Sequence, residues 1–222
     1  MATLFDTEYM SRTDLGHVRW LGGASGAGKS TVSRLLAEAF DLQIYATDGA
    51  IAEHAQQPGS DAPLLTRFLE MDMDERWVER DAQTMLETFP WFAGERFDAI
   101  VRDLRSASGS GLVLAEGFRL LPRLVQPLLQ QPWHAVWLIP TDEFRRSAFA
   151  DRPEGSKFWL RTSDPELAFE RLLQRDALFG DLVLRDAQAL GLRAIEIDGK
   201  REAADIAQEL ARWFRLNSTS RL

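Results

Sequence analysis

Cysteine is absent from the 222 residues of this chain. Its absence excludes disulfide scaffolds, zinc sites built on thiolates and catalysis by a thiol nucleophile. Long apolar runs are missing too, since no stretch approaches the roughly 18 consecutive apolar residues that can cross a bilayer. The amino-terminal residues also lack the basic stretch and apolar region of a secretory signal. We therefore expect a cytoplasmic protein without a membrane partner.

Basic residues are fewer than acidic residues, 26 against 34, so the formal net charge is −8. This balance argues against nucleic acid as a partner. Residues 41–105 hold 14 acidic and 6 basic residues, whereas the rest of the chain holds 20 of each. The hydrophobic content of 45% suffices for a sizeable core. We expect one domain over residues 1–222, with residues 61–105 as a helical insertion.

Short apolar segments alternate with longer segments of helical periodicity. Turn signals follow each of five strand candidates, which are residues 18–22, 43–47, 112–115, 135–139 and 194–197. This alternation predicts an α/β fold in which helices cover both faces of a parallel sheet. In the C-terminal half, Ser163 and Glu166 have the spacing of a capping box, which predicts a helix that continues to Gly191.

Residues 23–30 read GASGAGKS and match the pattern G-x-x-x-x-G-K-[ST] at every fixed position. An apolar strand precedes this stretch and a helical pattern follows it, which is the context that a phosphate-binding loop requires. Lys29 is predicted to bridge the β- and γ-phosphates, and the Ser30 hydroxyl to bind Mg²⁺. The alternative is a glycine-rich turn with an incidental lysine. The predicted phosphate and metal contacts are Gly23, Ala24, Ser25, Gly26, Ala27, Gly28, Lys29, Ser30 and Thr31.

Two carboxylates stand at the ends of predicted strands, where ligands of open parallel sheets bind. Asp48 ends the stretch QIYATD, and Glu116 ends GLVLAE. Asp48 is a candidate for the base that takes a proton from an acceptor hydroxyl, and the alternative is a helix cap. Glu116 is a candidate for the Mg²⁺ shell or for acceptor binding, and the alternative is a solvated turn residue.

The segment after the fourth strand carries several arginines, which suit a lid over residues 145–163. We expect at least one of Arg145, Arg146 and Arg152 to contact phosphate. Surface solvation or local pairing is the expectation for Arg161, Arg171 and Arg175. Gly199, in the turn after the fifth strand, is either a contact of the nucleotide base or part of a plain connection.

These features together resemble the P-loop kinases of nucleosides, nucleotides and small metabolites. The resemblance covers residues 18 to about 214 and is carried by GGASGAGKST, YATD, LVLAEG, the arginine-bearing lid and the final IDG. It implies a three-layer P-loop NTPase fold, a five-stranded parallel sheet of order 2-3-1-4-5, and the use of ATP with Mg²⁺. It also implies an acceptor-side role for Asp48.

The acceptor is predicted to be a small neutral or cationic molecule, because residues 41–79 contain nine acidic residues and only Arg67 and Arg76 as bases. Trp77, Trp91 and Phe92 are either stacking faces for it or ordinary packing residues. One alternative is a nucleoside or nucleoside monophosphate kinase, with a phosphate clamp drawn from Arg80, Arg96, Arg102 and Arg119. Another is a module that only binds or hydrolyses nucleotide. The sequence does not indicate an oligomeric state.

Overall fold

A computed structural model describes residues 15–56, 62–107 and 111–216. The first 14 and the last 6 residues of the predicted domain lie outside the described residues. Five parallel strands form one sheet of order β2-β3-β1-β4-β5. The strands are β1 Val18–Gly23, β2 Gln43–Ala46, β3 Val113–Glu116, β4 Ala135–Pro140 and β5 Ala194–Ile197. The predicted sheet and its strand order are confirmed, and every strand boundary agrees with the prediction within one residue.

Helices connect the strands and cover the sheet. They are α1 Lys29–Phe40, α2 Ile51–Ala55, α3 Pro63–Glu70, α4 Met73–Trp77, α5 Ala82–Thr88, α6 Pro90–Ala93, α7 Phe97–Ser106, α8 Pro122–Val125, α9 Asp142–Ala150, α10 Pro165–Ala189 and α11 Ala203–Trp213. Helices α2 to α7 occupy the connection between β2 and β3. The segment from 61 to 105 was expected to be helical, and its described part contains α3, α4, α5, α6 and most of α7.

The two faces of the sheet contribute to separate parts of the core, because successive strand residues point to opposite sides. In β4, Ala135, Trp137 and Ile139 pack on the face that α7, α8 and α10 cover. Val136 and Leu138 pack on the other face, against α1 and α11. The central strands β1 and β4 are buried on both faces. Strand β4 is apolar throughout, and β1 is apolar except for Arg19, which is also buried.

The strand register brings the polar ends of three strands together. Glu116, the last residue of β3, lies opposite Leu21 of β1 and Ala46 of β2. The phosphate loop begins two residues after Leu21, and Asp48 follows two residues after Ala46. Because the strands are parallel, these groups lie at the same edge of the sheet, where open α/β sheets bind ligands.

The predicted start of the long C-terminal helix is wrong by one residue. Asp164, not Ser163, is the N-cap of α10, and its carboxylate accepts a hydrogen bond from the Leu167 backbone at 3.0 Å. The Ser163 backbone instead donates to Asp74 at 2.8 Å. Aspartate and serine are about equally good N-caps. Where the two are adjacent, tertiary contacts decide which of them caps the helix. None of the described helices is long and apolar enough to span a membrane.

Candidate active site

The loop between β1 and α1 has the backbone that an anion-binding turn needs. Gly23, Gly26 and Gly28 have φ values of 121°, 82° and 75°, which residues with a Cβ rarely adopt. Gly28 is the N-cap of α1, and no side chain of the described residues caps this helix. The first N–H groups of α1 and the positive end of its dipole are therefore directed at the loop, as in phosphate sites.

Lys29 begins α1 and lies within this loop. Its Nζ donates a hydrogen bond to the Ala24 carbonyl at 2.8 Å, and only 8% of the residue is exposed. Burial lowers the pKa of Lys29, and the nearby carboxylates of Asp48 and Glu116 oppose that shift. The ammonium group thus lies between the phosphate loop and the two carboxylates that the sequence singled out.

Glu116 contacts the residue after the lysine. The Ser30 hydroxyl donates to Glu116 Oε1 at 3.0 Å. Burial raises the pKa of Glu116, and Lys29 and the Ser30 hydrogen bond oppose that shift. Mg²⁺ prefers oxygen ligands and usually takes few of them from protein. A hydroxyl and a carboxylate at one point fit such an ion, and the described residues contain no cluster of three or more metal-ligating side chains.

Asp48 lies at the same edge of the sheet, two residues beyond β2. Thr47 Oγ1 donates to Asp48 Oδ1 at 3.4 Å. Burial raises the pKa of Asp48, and the positive charge of Lys29 opposes this. The N-cap of α2 is Ala50, and within the described ranges α2 has no side-chain cap. The Asp48 carboxylate is therefore not used as a cap for the helix that follows it.

Glycine at position 117 lets β2 and β3 approach each other beside Asp48. Gly117 has a φ of 146°, and a Cβ on it would lie 1.8 Å from Thr47 Oγ1. Any larger residue would displace Thr47, and with it the adjoining Asp48. This requirement was not among the predictions, although the AEG stretch at the end of β3 is a local signal for it.

Arg152, one of the three predicted lid arginines, has its charge close to this cluster. Its guanidinium carbon lies 3.7 Å from the centroid of the Phe149 ring. Its charge lowers the pKa of both Lys29 and Asp48. Burial lowers the pKa of Arg152 itself, with nearby carboxylates opposing the shift. Its position is suited to a group that contacts a transferring phosphoryl group.

The other two lid arginines have different surroundings. Arg145 is 3% exposed and donates to the Pro140 carbonyl at 3.1 Å, so it packs beneath the loop. Arg146 forms a two-pronged ion pair with Glu170 at 2.6 and 2.7 Å on the exposed side of α9. The structure therefore separates three residues that the sequence treats alike.

Comparison with known proteins gives one curated relative of direct interest. It is a shikimate kinase of Marinomonas sp. (strain MWYL1), 26% identical over 166 residues, which cover 73% of this chain and 77% of the relative. No protein-family model matches the chain. The fold and the curated relative agree with the family resemblance seen in the sequence. The prediction of a P-loop kinase acting on small molecules is confirmed.

Two solved structures are similar to the kinase over most of its length. The shikimate kinase from Acinetobacter baumannii in complex with shikimate is 19% identical, covers 96% of this chain and 99% of its own, and has a TM-score of 0.47. A gluconokinase from Sinorhizobium meliloti 1021 is 16% identical, covers 90% of this chain and 92% of its own, and has a TM-score of 0.44.

Arg119 is buried. From the sequence it was only one of four arginines that could form a phosphate clamp. It donates to the carbonyls of Thr47 and Arg96, each at 3.2 Å, and its guanidinium carbon lies 4.4 Å from the Trp91 ring. Burial lowers its pKa to about 10. Through the Thr47 carbonyl, Arg119 fixes the backbone next to Asp48. Trp91 is therefore a packing residue beneath Arg119.

Two members of that alternative clamp are engaged elsewhere. Arg80 donates to the carbonyls of Glu75 and Arg76, in the α4 region. Arg102 pairs with Asp98 one turn earlier on α7. A clamp made of these four arginines is not present in this structure of the kinase.

Arg175 was expected to be solvated at the surface or paired locally; it is buried, and it pairs with the adjacent Asp176. Only 5% of Arg175 and 1% of the adjacent Asp176 are exposed. A signal for this exists in the sequence, because Asp176 is in helical phase with the apolar residues Leu172 and Val183. A charged pair on the buried face of an amphipathic helix requires partners. Trp77 of α4, Phe89 between α5 and α6, and Phe92 of α6 provide them.

Gly199 lies in the turn after β5, close to α9. A Cβ on Gly199 would lie 2.7 Å from the Phe144 ring. Beside it, the exposed Lys200 side chain pairs with Asp198 at 2.8 Å. The turn is at the same edge of the sheet as the phosphate loop, because β5 runs parallel to the other strands.

Proposed function

We propose that the kinase transfers the γ-phosphoryl group of ATP, bound with Mg²⁺, to a hydroxyl of a small uncharged or cationic molecule. The observation that carries this proposal is the convergence of Lys29, the Ser30–Glu116 contact and Asp48 at one edge of the sheet. A shikimate kinase as a curated relative supports the hydroxyl-kinase class.

Each residue has a role in the proposed reaction. The backbone of residues 23–31 and the Lys29 ammonium would hold the phosphates, and Ser30 and Glu116 would hold Mg²⁺ directly or through water. Asp48 would accept the proton of the acceptor hydroxyl while the hydroxyl oxygen forms a bond to the γ-phosphorus. The bond from that phosphorus to the oxygen of ADP breaks, and Arg152 would stabilise the charge that develops.

The remaining parts of the chain fit this scheme as proposals. Residues 145–163 would form the lid, with Arg152 as its phosphate contact, and the turn at Gly199 would lie near the nucleotide base. A single kinase domain over residues 1–222, with residues 61–105 as the acceptor-side insertion, agrees with this arrangement.

The acidic residues of segment 41–79 are not all available to an acceptor. Several of these acids serve local structure. Asp72 caps α4 and forms a capping box with Glu75, and Asp74 holds the Ser163 backbone. The charges that act on Asp48 itself are those of Lys29, Arg119 and Arg152.

An ADP-release assay with Mg²⁺ and ATP tests the proposal. The acceptor panel contains sugars, acyclic polyols, amino alcohols, shikimate, nucleosides and nucleoside monophosphates. We expect acceptor-stimulated ADP release with a small hydroxyl compound. Activity confined to nucleosides or monophosphates would favour the nucleoside-kinase alternative. Saturable ATP binding without any acceptor stimulation would favour the binding module.

The variant Lys29→Ala supplies the matched test of the site. We expect a loss of turnover of at least about 100-fold, because a charge that acts on the transferring group is removed. Arg34→Ala is the control, since Arg34 is exposed on the same helix. Unchanged turnover in Lys29→Ala, or an equal loss in the control, would contradict the assignment.

A further inference from the structure

The geometry points to the Arg175–Asp176 pair as a recognition site for an uncharged polar group of the acceptor, a hydroxyl or a carboxamide, and as a filter against acceptors with a carboxylate. This inference rests on the proposed kinase function and names its acceptor class.

The pair leaves one donor and one acceptor unused. Arg175 donates through Nε and Nη2 to the same oxygen, Asp176 Oδ1, at 2.9 and 2.6 Å. The other guanidinium nitrogen, Nη1, and the other carboxylate oxygen, Oδ2, are buried, and neither has a hydrogen-bond partner among the described residues. Buried polar groups are nearly always paired, so two orphaned atoms on neighbouring side chains require explanation.

An aromatic cage holds the Arg175 guanidinium in place. Its central carbon lies 4.5 Å from the Phe89 ring, 4.9 Å from the Trp77 ring and 5.0 Å from the Phe92 ring. These distances are those of cation–π contacts. All three rings come from the segment between β2 and β3, so this segment fixes the orientation of a side chain on α10.

Asp176 lies on the face of α10 that packs against the phosphate loop. Gly180, one turn later on this face, adjoins the loop, because a Cβ on it would lie 3.2 Å from Arg145 Nη2 and in van der Waals contact with the Ala24 side chain at 3.7 Å. Burial lowers the pKa of Lys29 and of Arg152, and the negative charge of Asp176 opposes both shifts, as expected for a carboxylate on this side of α10. The pair thus lies on the side of α10 that faces the phosphate loop and Lys29.

The chemistry of the two atoms selects the ligand group. Nη1 can only donate, and ionised Oδ2 can only accept, so their complement is a group that accepts from one and donates to the other. A hydroxyl or a carboxamide does both. A carboxylate would satisfy Arg175 but meet the negative charge of Asp176, and an ammonium group would meet Arg175. The pair as a whole is neutral, which favours a neutral partner.

Matched acceptors test this inference. Shikimate is compared with its carboxamide, and gluconate with gluconamide, so each pair differs only in the charged group. Dissociation constants are measured by calorimetry in the presence of Mg²⁺ and ADP, and kcat/KM values by ADP release. We expect the wild type to bind at least one carboxamide about tenfold or more tightly than its carboxylate. In Asp176→Asn the preference should shift toward the carboxylate by about tenfold, because the positive charge of Arg175 is then uncompensated.

Asp181→Asn is the matched control, since Asp181 is exposed on the same helix. The acceptor preference and the ATP affinity of Asp181→Asn should both equal those of the wild type. The inference is overturned if the wild type binds carboxylates as tightly as carboxamides, or binds none of the four compounds. A thermal denaturation scan checks that Asp176→Asn is folded. The inference is also overturned if this variant is folded and keeps the wild-type preference. A protein that fails to bind ATP would instead contradict the proposed function.

Discussion

Removal of the Arg152 side chain gives the sharpest test of the proposed phosphoryl-transfer site, because a neighbouring arginine supplies the control. Arg152 is stacked on Phe149, and its charge is felt by both Lys29 and Asp48. Arg146, on the same segment, is held by Glu170 on the exposed side of the helix. The two substitutions remove the same charge from the same part of the chain.

The expected loss follows from the position of the charge. A preorganised donor directed at the charge of a transition state is worth about 10²- to 10³-fold in kcat. We expect Arg152→Ala to lose turnover in that range, with a smaller change in the KM for ATP because Lys29 and the loop amides remain. The cation–π contact with Phe149 contributes about 0.5–1 kcal/mol, so the thermal midpoint should fall by about 1–4 °C. Arg152→Lys should recover part of the turnover, since lysine keeps the charge but loses the planar fork.

Steady-state ADP release over a range of ATP and acceptor concentrations separates kcat from KM, and a thermal denaturation scan reports the folded state. We expect Arg146→Ala to retain turnover within about twofold, because surface ion pairs contribute little. The reasoning is refuted if Arg152→Ala keeps turnover within about threefold of the wild type. It is also refuted if both arginine variants lose turnover equally.

Two further predictions concern pH. Asp48 must be ionised to accept a proton, and burial raises its pKa, so turnover should fall on acidification at a pH above the ordinary aspartate value of about 3.9. Asp48→Asn should lower kcat by about 10²- to 10⁴-fold, with ATP affinity kept; a variant as active as the wild type would assign Asp48 a structural role. His134 is 4% exposed, and burial together with Arg19 and Arg215 lowers its pKa to about 4. The unfolded chain therefore binds a proton at His134 at a higher pH than the folded chain does. The free energy of unfolding should fall by up to about 1.4 kcal/mol per pH unit as the pH decreases from about 6.5 to about 4. Urea titrations at pH 7 and 5 should show a smaller loss in His134→Gln, and equal losses would exclude this histidine as the cause.

The architecture could be predicted from the sequence because its signals are local. The apolar runs of β1 and β4, the GxxxxGKS spacing and the positions of Asp48 and Glu116 directly after strands are each visible within about ten residues. Parallel strands align their carboxyl ends, so the predicted sheet alone implied that the loop and both carboxylates would share one edge. This part of the site depends on rules that hold for any sheet of this kind.

Only the tertiary structure distinguished among the arginines. Arg145, Arg146 and Arg152 lie within eight residues of one another, yet the first packs under the loop, the second pairs with Glu170 and the third lies beside Asp48. Arg175 was expected to be solvated or locally paired, but rings about 83 to 98 positions earlier in the chain enclose it. The helical phase of Asp176 indicates the buried face of α10, but the partners that allow a charged pair to be buried there are brought together only by folding.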